Sequence, residues 1–173
     1  TLNSGLRLGE LCALRWSDVD LSENVIHVHY TMQRIKDTSE EGQTRTKVII
    51  TEPKSETSIR DIPLTEYAAG LCRRWKAKNP AAFLLTGTED QFMEPRCLQN
   101  RLKEYTKNCN LEGVHFHTLR HTFATRCVEV DFEIKSLSEI LGQHRRTRKR
   151  KGPVGRFHPA GHIYAIPSAL QPH

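Results

Sequence analysis

The stretch Gly5-Leu6-Arg7-Leu8-Gly9-Glu10-Leu11-Cys12-Ala13-Leu14-Arg15-Trp16-Ser17-Asp18-Val19-Asp20 places leucines at near-helical spacing, adds Trp16, and then breaks at a Ser/Asp cluster. Apolar residues spaced this way line one face of an α-helix, and the polar cluster turns the chain. Beyond the turn the period changes to two. Val25-Ile26-His27-Val28-His29-Tyr30 alternates and is β-branched, Thr46-Lys47-Val48-Ile49-Ile50-Thr51 is again strand-like, and Ile59-Arg60-Asp61-Ile62-Pro63-Leu64 is a third short run. With the polar stretch from Asp37 to Thr44 as hairpin loop, these three runs predict a small antiparallel sheet. From Thr65 the pattern turns helical. Thr65-Glu66 reads as a cap, with Ala68, Ala69, Leu71, Cys72 and Trp75 as a buried stripe. Further helices are predicted over about Pro95 to Asn108, with Leu98, Leu102 and Tyr105 on one side, and over about Thr118 to Val130 and Glu133 to Leu141. The expected fold is α+β, mostly α-helical with a small three-stranded antiparallel sheet.

The chain has 173 residues, enough for one domain with a sizeable core. Its hydrophobic fraction of 37% contains no apolar run approaching the roughly 18 residues a membrane-spanning helix requires, so that class is excluded. The opening residues lack the features of a secretory signal and read as the inside of a domain, so the chain is expected to begin mid-domain. Five cysteines, Cys12, Cys72, Cys97, Cys109 and Cys127, are odd in number and contain no C-x-x-C pair. That spacing argues against a disulfide framework or a structural zinc site and for buried thiols in a cytosolic protein. Of the 26 basic residues, six fall in Arg145-Arg146-Thr147-Arg148-Lys149-Arg150-Lys151, and the remaining 20 balance the 20 acidic ones. The net charge of +6 therefore describes one segment rather than the body of the chain.

Four pieces carry chemistry. Arg7 stands near a helix start. Lys54 lies between two predicted strands, where a turn can present it outward. His117 and Arg120 in His117-Thr118-Leu119-Arg120-His121-Thr122-Phe123-Ala124-Thr125 are three apart and share a helical face. His144 follows the apolar run that ends at Leu141-Gly142. Two arginines, a lysine and two or three histidines, without a carboxylate cluster, suit a phosphodiester transition state: guanidinium forks bind its oxygens, and lysine or histidine moves protons. No metal or cofactor is called for. His117 and His121 are four apart like the ligands of zinc hydrolases, but the glutamate of H-E-x-x-H is missing.

These motifs, in this order, resemble the tyrosine recombinases or phage integrases, and among them the integrases of conjugative transposons. The segments G-L-R-x-G-E-L…L-x-W-x-D-V-D, T-x-P-K-x-x-x-S-x-R-x-I-P-L and H-T-L-R-H-T-F-A-T together run from Gly5 to about Gly142. The resemblance implies a catalytic domain for DNA breaking and rejoining in the integration and excision of a mobile element. Arg7 and Arg120 would clamp the scissile phosphate, Lys54 would be general acid for the 5′-hydroxyl leaving group, and His117 would transfer a proton. Glu10 and His121 would support them. The nucleophile in this family is a tyrosine, which forms a 3′-phosphotyrosine link. The implied partners are double-stranded DNA and other copies of the chain, as a tetramer on DNA. The implied location is the bacterial cytoplasm, on the nucleoid, with no membrane.

The resemblance stops at Gly142. Gln143 stands where the family pattern Leu-Gly-His has its histidine, and His144 is one residue late. The one tyrosine beyond is Tyr164, 20 residues after His144, in Gly161-His162-Ile163-Tyr164-Ala165-Ile166-Pro167. Residues 1–142 are therefore expected to be an N-terminally truncated catalytic domain. Residues 143–173 are expected to be a basic, Pro/Gly-rich tail, disordered or out of the family's reading frame. Two readings stay open: Tyr164 is the nucleophile, or the chain is a DNA-binding remnant that cannot cleave. The basic run 145–151 is either a phosphate-tracking arm or an unselected product of a lost frame. Arg15, Arg34, Lys36, Arg45, Lys47 and Arg60 either flank a DNA groove or are ordinary solvated charge.

Overall fold

The computed structural model describes residues 1–37, 46–52 and 58–143. Helix α1 (Leu8–Ala13) is followed by a 3₁₀ turn (Trp16–Asp18), then β1 (Val19–Asp20), β2 (Val25–Val28), β3 (Thr31–Lys36), β4 (Thr46–Thr51) and β5 (Arg60–Pro63). Four helices complete the order: α2 (Glu66–Trp75), α3 (Pro95–Asn108), α4 (Phe116–Glu129) and α5 (Ile134–Ile140). The expected fold class is observed. Among the described residues, no helix is long and apolar enough to cross a membrane.

The strands sort differently from the sequence expectation. A three-stranded antiparallel sheet forms in the order β1-β2-β5, and Thr46–Thr51 belongs to a separate two-stranded sheet with Thr31–Lys36. The first predicted run ends at Val28, the exposed His29 and Tyr30 interrupt it, and a new strand begins at Thr31. Closing β3 on β4 spans a short loop at small entropic cost, so β4 is taken by its near neighbour. The flank of β2 then falls to β5, in the register Ile26↔Ile62, His27↔Asp61 and Val28↔Arg60.

Ile26, Val28 and Ile62 face a core shared with Leu6, Trp16, Phe123 and the α5 residues Leu137 and Ile140. Side chains such as Ile62 and Phe123, both 0% exposed, each contribute about 1.5–3 kcal/mol through burial. A second cluster of Cys12, Ala13, Met32 and Phe83 joins α1 to β3. That contact is close, because a Cβ on Gly9 would lie 2.6 Å from the Met32 carbonyl oxygen.

The α2 stripe is corrected. Thr65 caps the helix by accepting from the Ala68 N–H at 3.2 Å, as expected, but Trp75 is 72% exposed. Ala68, Ala69 and Cys72 turn toward the core, while Tyr67, Leu71 and Trp75, each four apart, form a second row on the exposed side. A helix of this length seats one such row on its neighbours. In α3 likewise, Leu98 and Leu102 are half-buried and Tyr105 is exposed. Of the cysteines, Cys12 and Cys127 are buried, Cys72 is half-buried, and Cys97 and Cys109 are exposed, against the expectation that all are buried. Burial, with Cys97 nearby, pushes the Cys12 thiol up to about 12, and burial pushes Cys127 up to about 11.

Two glycines predict opposite responses to the same change. Gly5 has φ +61°, and a Cβ there would lie 2.7 Å from the Phe123 ring and 2.8 Å from Leu141. Gly70, inside α2, has nothing within 4 Å of a built Cβ. Gly5→Ala should lower unfolding stability by about 2–4 kcal/mol, from left-handed strain plus overpacking. Gly70→Ala should raise it by about 0.5–1 kcal/mol. Urea titration of the two variants beside the parent chain checks both signs.

Candidate active site

Arg7 occupies the position just before α1 in an extended conformation, so its side chain and backbone N–H both stand at the helix N-terminus. That N–H lacks an intrahelical acceptor and donates instead to Glu10 Oε2 at 2.8 Å, while Arg7 Nη1 donates to Glu10 Oε1 at 2.8 Å. Glu10 is 3% exposed, and an ionised carboxylate so buried demands further compensation. Arg60 supplies it from β5, with Nη1 to Oε1 at 2.9 Å and Nη2 to Oε2 at 2.8 Å, a two-pronged contact. Burial alone raises the Glu10 carboxyl. The hydrogen bonds and charge of Arg60, joined by the hydrogen bonds of Arg7, outweigh it and hold the group at about 2.

The same guanidiniums gather the end of α5. Arg60 Nε donates to the Ile140 carbonyl at 2.6 Å, Arg120 donates to the carbonyls of Leu141 and Gly5, and Arg7 Nη2 donates to the Gly142 carbonyl at 3.1 Å. Three consecutive carbonyls at a helix C-terminus thus each meet a cation, where the helix dipole favours positive charge. Gly142 takes φ +57° there, a conformation that suits glycine at the close of a helix. Arg120 is 6% exposed, and burial, then the charge of Arg7, lowers its guanidinium to about 10, which leaves it cationic at neutral pH. The contacts described occupy two of the five side-chain N–H groups of Arg7 and two of Arg120. The Arg7 side chain is 39% exposed, so its remaining donors reach solvent, whereas Arg120 is buried.

His117 and His121 lie on α4 with ring centroids 5.1 Å apart and planes at 87°. Both are exposed, and His117 stands one turn before Arg120. His115, just before α4, has Nδ1 2.8 Å from the Gly113 carbonyl oxygen. Among the described residues, no three His, Cys, Asp or Glu side chains are grouped to hold a metal ion. The structure therefore gathers Arg7, Glu10 and Arg120, and places His117 and His121 on the Arg120 helix. Lys54, His144 and Tyr164 lie outside the described residues, as do Arg45 and the basic run 145–151.

Arg60 and Arg15 are corrected as groove-flanking or solvated charges. Arg60 is buried on Glu10, and Arg15 donates to the Ala81 carbonyl with its guanidinium 4.1 Å from the centre of the Phe83 ring. Arg34 pairs with Glu94, and Lys47 with Asp37 at 3.3 Å. The role of Arg60 had a signal in its sequence. In a strand Arg60, Ile62 and Leu64 share a face, so an inward Ile62 carries the arginine inward with it and requires a buried anion.

The phage integrase family matches residues 1–149 of the chain. The chain belongs to the phage integrase family. It is similar to a "Tyrosine recombinase XerC-like" protein of Caldanaerobacter subterraneus subsp. tengcongensis, with 30% identity over 154 residues, 80% of this chain and 39% of that one. It is also similar to "Tyrosine recombinase XerC" of Xanthomonas axonopodis pv. citri, 28% identical over 146 residues, 81% of this chain and 39% of the relative. Among solved structures, the Tn1549 transposon integrase in complex with circular intermediate DNA superposes with a TM-score of 0.67 at 25% identity, covering 83% of this chain and 49% of that one. The XerA recombinase superposes with a TM-score of 0.56 at 24% identity and shares the fold. This integrase-family chain thus spans 39% of the length of these two relatives and about half of that transposon integrase.

The Glu10 carboxyl predicts an acid-limb signature. Its folded value of about 2 lies below the ordinary 4.5, so its stabilisation is complete above about pH 4.5 and is lost as pH falls toward 2. The contribution is about 3 kcal/mol. Glu10→Gln should flatten the fall in stability between those pH values and lower stability at neutral pH by about 3–5 kcal/mol, because Arg60 loses its buried counter-charge. Urea unfolding of both proteins across that pH range measures it.

Proposed function

We propose that this chain supplies the phosphate-gripping portion of a site-specific DNA recombinase that integrates and excises a mobile element. The carrying observation is the convergence of Arg7 and Arg120 on the end of α5, each with side-chain N–H groups left over for the oxygens of a phosphodiester. The named relatives are tyrosine recombinases, and the transposon integrase that superposes on this chain is bound to DNA, which supports the same reading.

In this reading Arg7 and Arg120 neutralise the non-bridging oxygens as negative charge builds on phosphorus. A tyrosine hydroxyl, that of Tyr164, attacks phosphorus, the bond to the 5′ oxygen breaks, and a 3′-phosphotyrosine link forms. Lys54 gives its proton to the departing 5′ oxygen, and His117 takes the proton from the attacking hydroxyl. His144 is a further contact to the phosphate. Residues 1–142 form the integrase catalytic domain that grips the phosphate, residues 143–173 supply His144 and Tyr164, and the protein acts on double-stranded DNA of the bacterial nucleoid as a homo-oligomer, a tetramer on its sites. One sequence observation favours a second reading. Gly152 stands nine residues beyond Gln143, where relatives with compact tails carry the nucleophilic tyrosine, which suits a chain that grips DNA but forms no covalent link.

Incubation with a nicked duplex, followed by denaturing electrophoresis, separates the readings. A covalent protein–DNA adduct is expected, absent in Tyr164→Phe and reduced about 100-fold or more in Arg120→Lys, which keeps the charge but loses the fork. Duplex binding that weakens in Arg7→Ala, without any adduct, selects the binding-only reading. No adduct and no change in binding on Arg7→Ala overturns both.

A further inference from the structure

We propose that Arg60 is a positioning residue, one that neutralises Glu10 so that the charge of Arg7 is left to the DNA phosphate. The inference rests on the phosphate-binding reading of Arg7 and names the residue that makes that binding possible.

The register Val28↔Arg60 sets Arg60 on the inward face of β5, two residues before Ile62, which is 0% exposed. Its side chain is 6% exposed. Its contacts are all internal: both oxygens of Glu10, the Ile140 carbonyl and the Ser58 carbonyl at 3.0 Å. Arg60 is thus spent on the protein, whereas Arg7 is 39% exposed and shares the same carboxylate through Nη1.

The charge count follows. One buried carboxylate faces two guanidiniums, so the group carries net positive charge, and the more exposed cation is the one a ligand meets. Without Arg60, Glu10 would remain buried with Arg7 as its one guanidinium partner. A carboxylate out of water draws its counter-ion strongly, so Arg7 would be claimed by Glu10 and would answer a phosphate weakly. Arg60 also fixes the plane of the carboxylate that orients Arg7, and holds Ile140 next to the two carbonyls that Arg120 and Arg7 hold.

The test uses the whole chain, a fluorescently labelled DNA duplex, and binding titrations over a range of NaCl, with each variant checked for cooperative melting. A phosphate contact contributes about one to the slope of log affinity against log salt. Arg60→Gln should bind about three- to tenfold more weakly and lose about one from that slope, as Arg7→Ala does, although Arg60 is buried. Arg60→Lys, which restores the charge, should recover the slope. The double variant Arg7→Ala/Arg60→Gln should bind no worse than Arg7→Ala, since both changes act through one contact. A purely structural role would change the melting temperature and leave the slope of the folded protein alone.

A folded Arg60→Gln with parental affinity and slope, or losses that add in the double variant, overturns the proposal. If Arg60→Gln does not melt cooperatively, Glu10→Gln/Arg60→Gln replaces it. That variant loses the carboxylate that orients Arg7 and should bind more weakly, but because it removes both buried charges together and leaves the net charge around Arg7 unchanged it should keep the parental slope, and a slope lower by one refutes the inference. Parental binding by Arg7→Ala would remove the phosphate reading itself, whereas weak binding by Arg7→Ala beside a parental Arg60→Gln removes only this inference.

Discussion

A single buried carboxylate, Glu10, organises this molecule. At 3% exposure it stays ionised because Arg60 and Arg7 bind it from different elements, β5 and the start of α1. Arg60 balances the charge inside the protein, and Arg7 shares the carboxylate at the edge of solvent. Because a carboxylate and its guanidinium partners must meet in fixed geometry, the pair ties a helix terminus to a strand more specifically than apolar contact can.

The end of α5 depends on the same group. Helix C-termini leave carbonyls without partners, and here Ile140, Leu141 and Gly142 are met in turn by Arg60, Arg120 and Arg7. The chain around them has little freedom. Gly5 offers its carbonyl to Arg120 from a left-handed conformation packed against Phe123 and Leu141, and Gly142 closes the helix in another. Four distant segments, around residues 5–10, 60, 120 and 140–142, are thereby joined through hydrogen bonds from three cations. A cluster built this way holds Arg7 and Arg120 in fixed positions through contacts within the protein alone.

Recognition from sequence worked for local spacing. Arg7 is read at a helix start and stands just before α1, and His117 is read three residues before Arg120 and shares α4 with it. Both placements follow from helical geometry alone. Recognition failed where a residue's meaning depends on its neighbours in space. Arg60 reads as a surface charge until the strand alternation is carried through to Ile62. Trp75 reads as core until α2 is seen to seat its alanines instead. The pairing of Thr46–Thr51 with Thr31–Lys36 was also hidden, because periodicity marks a strand without naming its partner.

What the sequence determined by itself is the helix and strand content, the cap at Thr65, and the order of motifs that mark the phage integrase family. These follow from interactions a few residues long, so a linear pattern records them. What the tertiary structure decided is which strand pairs with which, which cations are buried, and which carbonyls they meet. Those outcomes compare charges and surfaces from segments tens of residues apart, and a buried ion is stable only when a specific distant partner neutralises it. Glu10 and Arg60, 50 positions apart in the chain and 2.8 Å apart in the fold, show the difference, because only folding brings them together and only burial makes the contact indispensable.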